Sequence, residues 1–200
     1  MNFMQLRERQ PKFPVTVKTG EGVVELIWNK IEYADGYRVF ASPVGKNHFV
    51  GVINVKGTTA VMKKRANGVP MQYKVKAFRI ADGPDNFFGE SEIVIACPLE
   101  TPRRLTAIVG SDGICTLSWR YNSQCDGFKI YADSNESGKY SFVCYSGKNS
   151  CRLDSFTKSG KVSFVVRSFI MTGHMEKLGV SSAPSEAVLP KSKGAKAVQF

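Results

Sequence analysis

Apolar and polar residues alternate along most of this chain with a period of two. Val24, Leu26 and Trp28 alternate with Val23, Glu25 and Ile27, Leu117 and Trp119 with Thr116, Ser118 and Arg120, and Tyr73, Val75 and Ala77 with Lys74, Lys76 and Phe78. A strand buried on one face reads this way, because successive side chains leave it on opposite sides. Clusters of Gly, Pro, Asn and Asp interrupt the pattern about every ten residues, as turns do in a two-sheet sandwich. No amphipathic helix of useful length is visible. The pattern predicts strands over residues 13–18, 23–30, 36–42, 48–55, 58–64, 71–80 and 90–96, then 104–110, 114–121, 127–133, 139–146, 150–155, 162–171 and 179–188.

The second set repeats the first at an offset of 91 residues. Trp28, Gly36, Tyr37 and Val39 become Trp119, Gly127, Phe128 and Ile130. Pro11, Gly22, Leu26, Asp35, Phe49, Met62, Tyr73 and Phe78 become Pro102, Gly113, Leu117, Asp126, Tyr140, Leu153, Phe164 and Phe169. A period this long means two copies of one domain rather than a solenoid. The expected domains are residues 11–98 and 99–190, with an arm over 1–10 and a basic tail over 191–200. The joint at Cys97-Pro98-Leu99-Glu100-Thr101-Pro102 is short and bracketed by prolines, which restrict the backbone. An elongated rod is the expected arrangement.

These residues together resemble the fibronectin type III family. The resemblance covers both repeats: Trp28 and Trp119 in the second strand, Gly36-Tyr37-Arg38-Val39 and Gly127-Phe128-Lys129-Ile130 in the third, Met62 and Leu153 before the sixth, and Tyr73 opening the sixth. Gly89-Glu90-Ser91 and Gly179-Val180-Ser181 match a Gly-x-Ser start of the last strand. Phe164 departs from the pattern, so that corner of the second copy must rely on packing. The resemblance implies an all-β fold: two consecutive seven-stranded immunoglobulin-like (fibronectin type III) β-sandwiches. Its form is most similar to bacterial and phage members, which serve as spacers in secreted glycan-degrading enzymes, surface proteins and phage particles. No Arg-Gly-Asp tripeptide is present, so integrin binding does not carry over.

The net charge of +11 is spread evenly, with 14 basic and 9 acidic side chains in residues 1–98 and 14 and 8 in residues 99–200. Such a charge attracts anionic partners without specificity. No nucleic-acid motif accompanies it, so nucleic acid is expected only as a non-specific ligand. Five cysteines cannot all pair within one chain, and Cys115, Cys125, Cys144 and Cys151 replace Val24, Ala34, Ile53 and Ala60 of the first copy. They read as small buried hydrophobes, with Cys115–Cys151 as the one candidate cross-strand pair. No apolar run reaches the roughly 18 residues of a membrane-spanning helix. Met1–Pro14 lacks the apolar stretch of a secretory leader. Synthesis in the cytoplasm is expected, followed by incorporation in a virion, or an extracellular surface if a leader has been removed.

His48 and His174 lie in different repeats without a nucleophile at catalytic spacing, so no enzyme activity is expected. Asp82-Gly83-Pro84-Asp85-Asn86 lacks the rhythm of a calcium loop and reads as a tight turn. Asn135-Glu136-Ser137 matches a glycosylation sequon. No cofactor or metal is implied. Loops on a rigid sandwich commonly carry recognition. The candidate partner-binding residues are therefore Phe87 and Phe88 before the last strand of the first copy, and His174 and Met175 at the matching loop of the second. Lys63, Lys64 and Arg65 are added as a basic strand end, which also discourages edge-to-edge aggregation. At least one of Phe87 and Phe88 should be solvent-accessible. The expected role is a structural spacer or interaction module with protein partners or its own copies, with a carbohydrate-binding accessory module as the alternative.

Overall fold

A computed structural model describes residues 12–83, 86–154 and 159–190. The arm, the tail, and Pro84 and Asp85 of the expected turn lie outside the described residues. The chain divides into two compact units between Pro98 and Leu99.

In the first unit, β1 (Val15–Gly20), β2 (Val23–Trp28) and β5 (Thr59–Met62) form one antiparallel sheet in the order β1-β2-β5. The second sheet has the order β4-β3-β6-β7, built from β3 (Gly36–Pro43), β4 (Val50–Val55), β6 (Met71–Phe78) and β7 (Phe87–Glu90). A last segment, β8 (Val94–Ala96), pairs with the start of β6. The second unit repeats this. Its smaller sheet is β13-β10-β9, from β9 (Arg103–Val109), β10 (Cys115–Arg120) and β13 (Ser150–Leu153). Its larger sheet is β12-β11-β14-β15, from β11 (Gly127–Asp133), β12 (Ser141–Ser146), β14 (Gly160–Thr172) and β15 (Met175–Leu178), with β16 (Ser185–Leu189) also on β14. The fold is all-β, two consecutive immunoglobulin-like sandwiches. Among the described residues, no helix is long and apolar enough to cross a membrane.

Inward positions of both sheets make each core. Val24, Leu26, Tyr37, Val39, Tyr73 and Val75 are buried in the first, and Cys115, Leu117, Phe128, Ile130, Phe164 and Val166 in the second. Phe164 is fully buried, so packing holds the corner where the first unit has Tyr73. The two tryptophans sit edge-on to the next ring inward, Trp28 at 5.3 Å from Tyr37 and Trp119 at 5.1 Å from Phe128. The glycine that opens β3 and β11 is there for space. A Cβ on Gly36 would stand 2.6 Å from the Phe78 ring, and one on Gly127 2.9 Å from the Ser146 carbonyl and 3.0 Å from Phe169.

The last strand of each copy differs from the sequence expectation. Residues 90–96 and 179–188 are each expected as one strand, but the ladder on β6 breaks between Glu90 and Val94, and that on β14 between Leu178 and Ser185. A serine hydroxyl fills the gap. Ser91 Oγ accepts from Val75 N at 2.9 Å, and Ser182 Oγ accepts from Val166 N at 3.0 Å. The equivalent of Ser91 is therefore Ser182 and not Ser181. A buried backbone N–H must be satisfied, and a side chain does so where the neighbouring strand cannot.

Candidate functional site: the outer faces of the larger sheets

Within the first unit, the residues singled out from sequence do not converge. Lys63 and Lys64 are exposed and Arg65 half-buried beyond β5, and Arg65 N donates to Gly22 O at 2.9 Å. That is the end of the sandwich near Met71, whereas Phe87 pairs with Phe78 at the opposite end of β6. His174 and Met175 are exposed on a hairpin of the other unit, where β14 and β15 pair as far as Thr172 and Met175. His48 is also exposed. Of the expected tight turn, Ile80–Asp82 form one 3-10 turn, and Asn86 N donates to Gly83 O at 3.3 Å.

Phe87 and Phe88 are both half-buried, and they part company. Phe88 is the extra residue of a bulge between the Ala77–Gly89 and Phe78–Phe87 pairs, and it packs against the core. Phe87 stands on the outer face of the larger sheet, 5.5 Å edge-to-face from Phe40. Arg38 and Lys76 lie over its ring at 5.4 Å and 5.5 Å, and Lys74 lies over Phe49 at 4.5 Å. Glu90 bridges Lys74 at 3.3 Å and Lys76 at 3.0 Å. Partial burial pushes the Glu90 carboxyl up, but the two lysines outweigh it and hold the group below its ordinary value. Two lysines thus share one carboxylate, and the rings take up part of the remaining charge.

The same face of the second unit carries more exposed rings. Tyr131, Phe142, Tyr145 and Phe169 form a continuous series, with successive centroids 5.9, 4.8 and 5.8 Å apart. Lys129 lies over Phe142 and Tyr145 and bridges Glu176 at 2.6 Å. That hydrogen bond holds the Lys129 ammonium above its ordinary range. Phe142 is 42% exposed and Tyr145 58%. Their counterparts in the first unit, at the 91-residue offset, are Gly51 and Asn54. The scaffold is kept while the edge strand changes from glycine and a polar side chain to two aromatics.

Strict alternation hides this site. It would place Phe142 and Tyr145, three residues apart, on opposite faces. Tyr131 pairs with Phe142 and Ile130 with Cys144, so Val143 is an extra residue that shifts the register. The bulge brings both rings onto one face, the kind of re-aiming that edge-strand bulges perform. The β3–β4 ladder has the same bulge between Val39 and Phe40, so matching bulges in the two copies are the signal that finds the site.

Among the described residues, no group of three or more His, Cys, Asp or Glu side chains could hold a metal ion. Cys115 and Cys151 sit diagonally on paired strands, opposite Leu153 and Leu117. The Cys151 thiol lies 3.1 Å from that of Cys144, a neighbour the sequence did not single out beside the candidate Cys115–Cys151 pair. The sequon residue Asn135 is exposed in the turn after β11.

No protein-family profile matches the chain, and no curated protein sequence does. Solved structures do. The chain is similar to the FN1-FN3 domains of chicken CNTN1, at 18% identity over 90% of this chain and 67% of that one, with a TM-score of 0.41. It is also similar to a segment of two fibronectin type III domains from chicken tenascin, at 14% identity over 88% of this chain and 97% of that one, with a TM-score of 0.49.

Proposed function

We propose that this chain is a non-enzymatic interaction module whose two sandwiches act as rigid scaffolds, and that the second presents its larger sheet as a protein-contact face. The observation that carries the reading is the exposed Phe142–Tyr145 pair where the first unit has Gly51 and Asn54. Exposed aromatics flanked by cations are typical of the anchors that dominate protein interfaces. The ring pair is tilted by 58° and its neighbours by 77° and 75°, so the rings offer edges and corners to a partner. A sugar ring would be served better by one flat platform, and for that reason a protein partner takes precedence over a glycan.

The setting we propose is a particle or virion component, assembled with its own copies or with neighbouring subunits, the basic excess favouring acidic neighbours. Residues 1–10 and 191–200 are proposed as further assembly contacts. Size-exclusion light scattering on the full chain, on a chain trimmed of both termini, and on Phe142→Ser/Tyr145→Ser tests this setting. Assembly by the face predicts a mass above the 22.1 kDa of one chain, returning to that value in the double variant. A full chain that stays at 22.1 kDa at all concentrations removes self-assembly and leaves a different protein as partner.

A further inference from the structure

The second sandwich carries a pair of thiols that its fold does not require. Cys144 lies on β12, the edge strand of the larger sheet, and Cys151 on β13, an edge of the smaller one. Only the turn over residues 147–149 separates the two strands, so the pair sits where the chain crosses from sheet to sheet. Both cysteines are half-buried and pack against the second core, with their sulfurs 3.1 Å apart. In the first sandwich the same two places hold Ile53 and Ala60, which pack in its core. An aliphatic contact therefore suffices to close this part of the sandwich, and the thiols add chemistry to it.

We propose that Cys144 and Cys151 form a dithiol site that exchanges with a small-molecule disulfide, leaving an intramolecular Cys144–Cys151 bond that ties β12 to β13. Cys151 attacks first. Its thiolate accepts the S–H of Cys144, and this lowers its pKa while raising that of Cys144. The Cys151 thiolate displaces one thiolate from the small disulfide, which takes up a proton, and a mixed disulfide forms on Cys151. Cys144 then gives its proton to solvent, attacks the Cys151 sulfur and expels the second small thiol. The two protein thiols are oxidised by two electrons, and one small disulfide is reduced to two thiols. Cys115 does not compete, since burial and then the neighbouring Cys151 push its thiol up to about 11, leaving it protonated. The sulfurs stand within about 1 Å of bonding distance, so side-chain adjustment can close the gap.

The test uses the full chain, folded and reduced, incubated with oxidised glutathione. Remaining thiols are then alkylated under denaturing conditions and the protein is digested without reduction. Trypsin cuts after Lys139, Lys148 and Arg152, so the two cysteines leave on separate peptides unless they are bonded. The expected product has no disulfide between chains and has lost two of its five free thiols. Its Tyr140–Lys148 and Asn149–Arg152 peptides should be joined, about 2 Da lighter than their sum. Cys144→Ile, which borrows the first sandwich's residue and removes the S–H that activates Cys151, should react more slowly and stop at one glutathione on Cys151. Near-ultraviolet circular dichroism verifies that this variant is folded, and Cys115→Ser should retain the cross-link. A Cys115–Cys151 bond, a lasting glutathione adduct on Cys151 of the unsubstituted protein, or five thiols still free after incubation would each overturn the proposal.

Discussion

Several residues of this protein are explained by one neighbour each, and the two copies act as controls for one another. Tyr37 Oη accepts a hydrogen bond from Ile31 N at 2.8 Å, while the second copy has Phe128 in that place. Tyr37→Phe should therefore fold and cost about 1 kcal/mol, the net worth of one hydrogen bond, read from a urea midpoint. The serines that bridge the broken strands matter more, because removing the hydroxyl strands a buried N–H. Ser182→Ala should cost about 1–3 kcal/mol in the second unit, and Ser91→Ala the same in the first. A neutral result would mean that another acceptor reaches Val166 N or Val75 N. Glu90 sets a pH dependence. Its carboxyl is held below the ordinary value in the folded state, so its contribution is present above the ordinary carboxylate range. That contribution is lost as the pH falls through the folded pKa, leaving Lys74 and Lys76 without their shared partner. Acid titration of stability should accordingly be flatter in Glu90→Gln than in the unsubstituted protein, and parallel curves would remove Glu90 from the account.

At the scale of elements, the sequence made strand existence plain and strand continuity obscure. Alternation around Trp28 and Trp119 placed the central strands and their inward residues, because period two is imposed by the core on one side. It missed every place where the ladder is interrupted. The bulges at Val39/Phe40 and Ile130/Tyr131 change which side chains share a face without changing composition. The loops before the last strands show another limit. Phe78 pairs with Phe87 and Phe169 with Leu178, so the connections have equal length. Gly89 and Gly179 nevertheless stand 90 residues apart, because Phe88 is an extra residue before the first and two residues, not one, separate Gly179 from Ser182. The second connection closes as a two-residue hairpin, with Gly173 at φ +64° in its first central position, as a II′ turn asks. The first has Asp82 at that position, where a residue with a side chain is disfavoured at positive φ. Gly173→Ala meets open space and suffers only the backbone penalty. It should cost about 1 kcal/mol by urea unfolding, and no loss would contradict the turn assignment.

For the whole molecule, the repeat that reveals two sandwiches is carried by core residues, and for that reason it says little about function. The proposed contact face is made by what differs between the copies on exposed faces, and chain order lists those differences without saying which of them share a face. In the first unit the basic residues after β5 and the ring of Phe87 lie at opposite ends of β6, although chain order lists both alike. If the face is a contact surface, its rings are dispensable for folding. Urea unfolding of Phe142→Ser/Tyr145→Ser, followed through Trp119 and set beside the buried-core variant Phe164→Ala, tests this most directly. The core variant should lose about 3–5 kcal/mol. The account predicts a loss well below that for the double variant, about 1–2 kcal/mol, reflecting only the ring contacts. A loss as large as that of Phe164→Ala would make the two rings part of the fold and would contradict the contact surface.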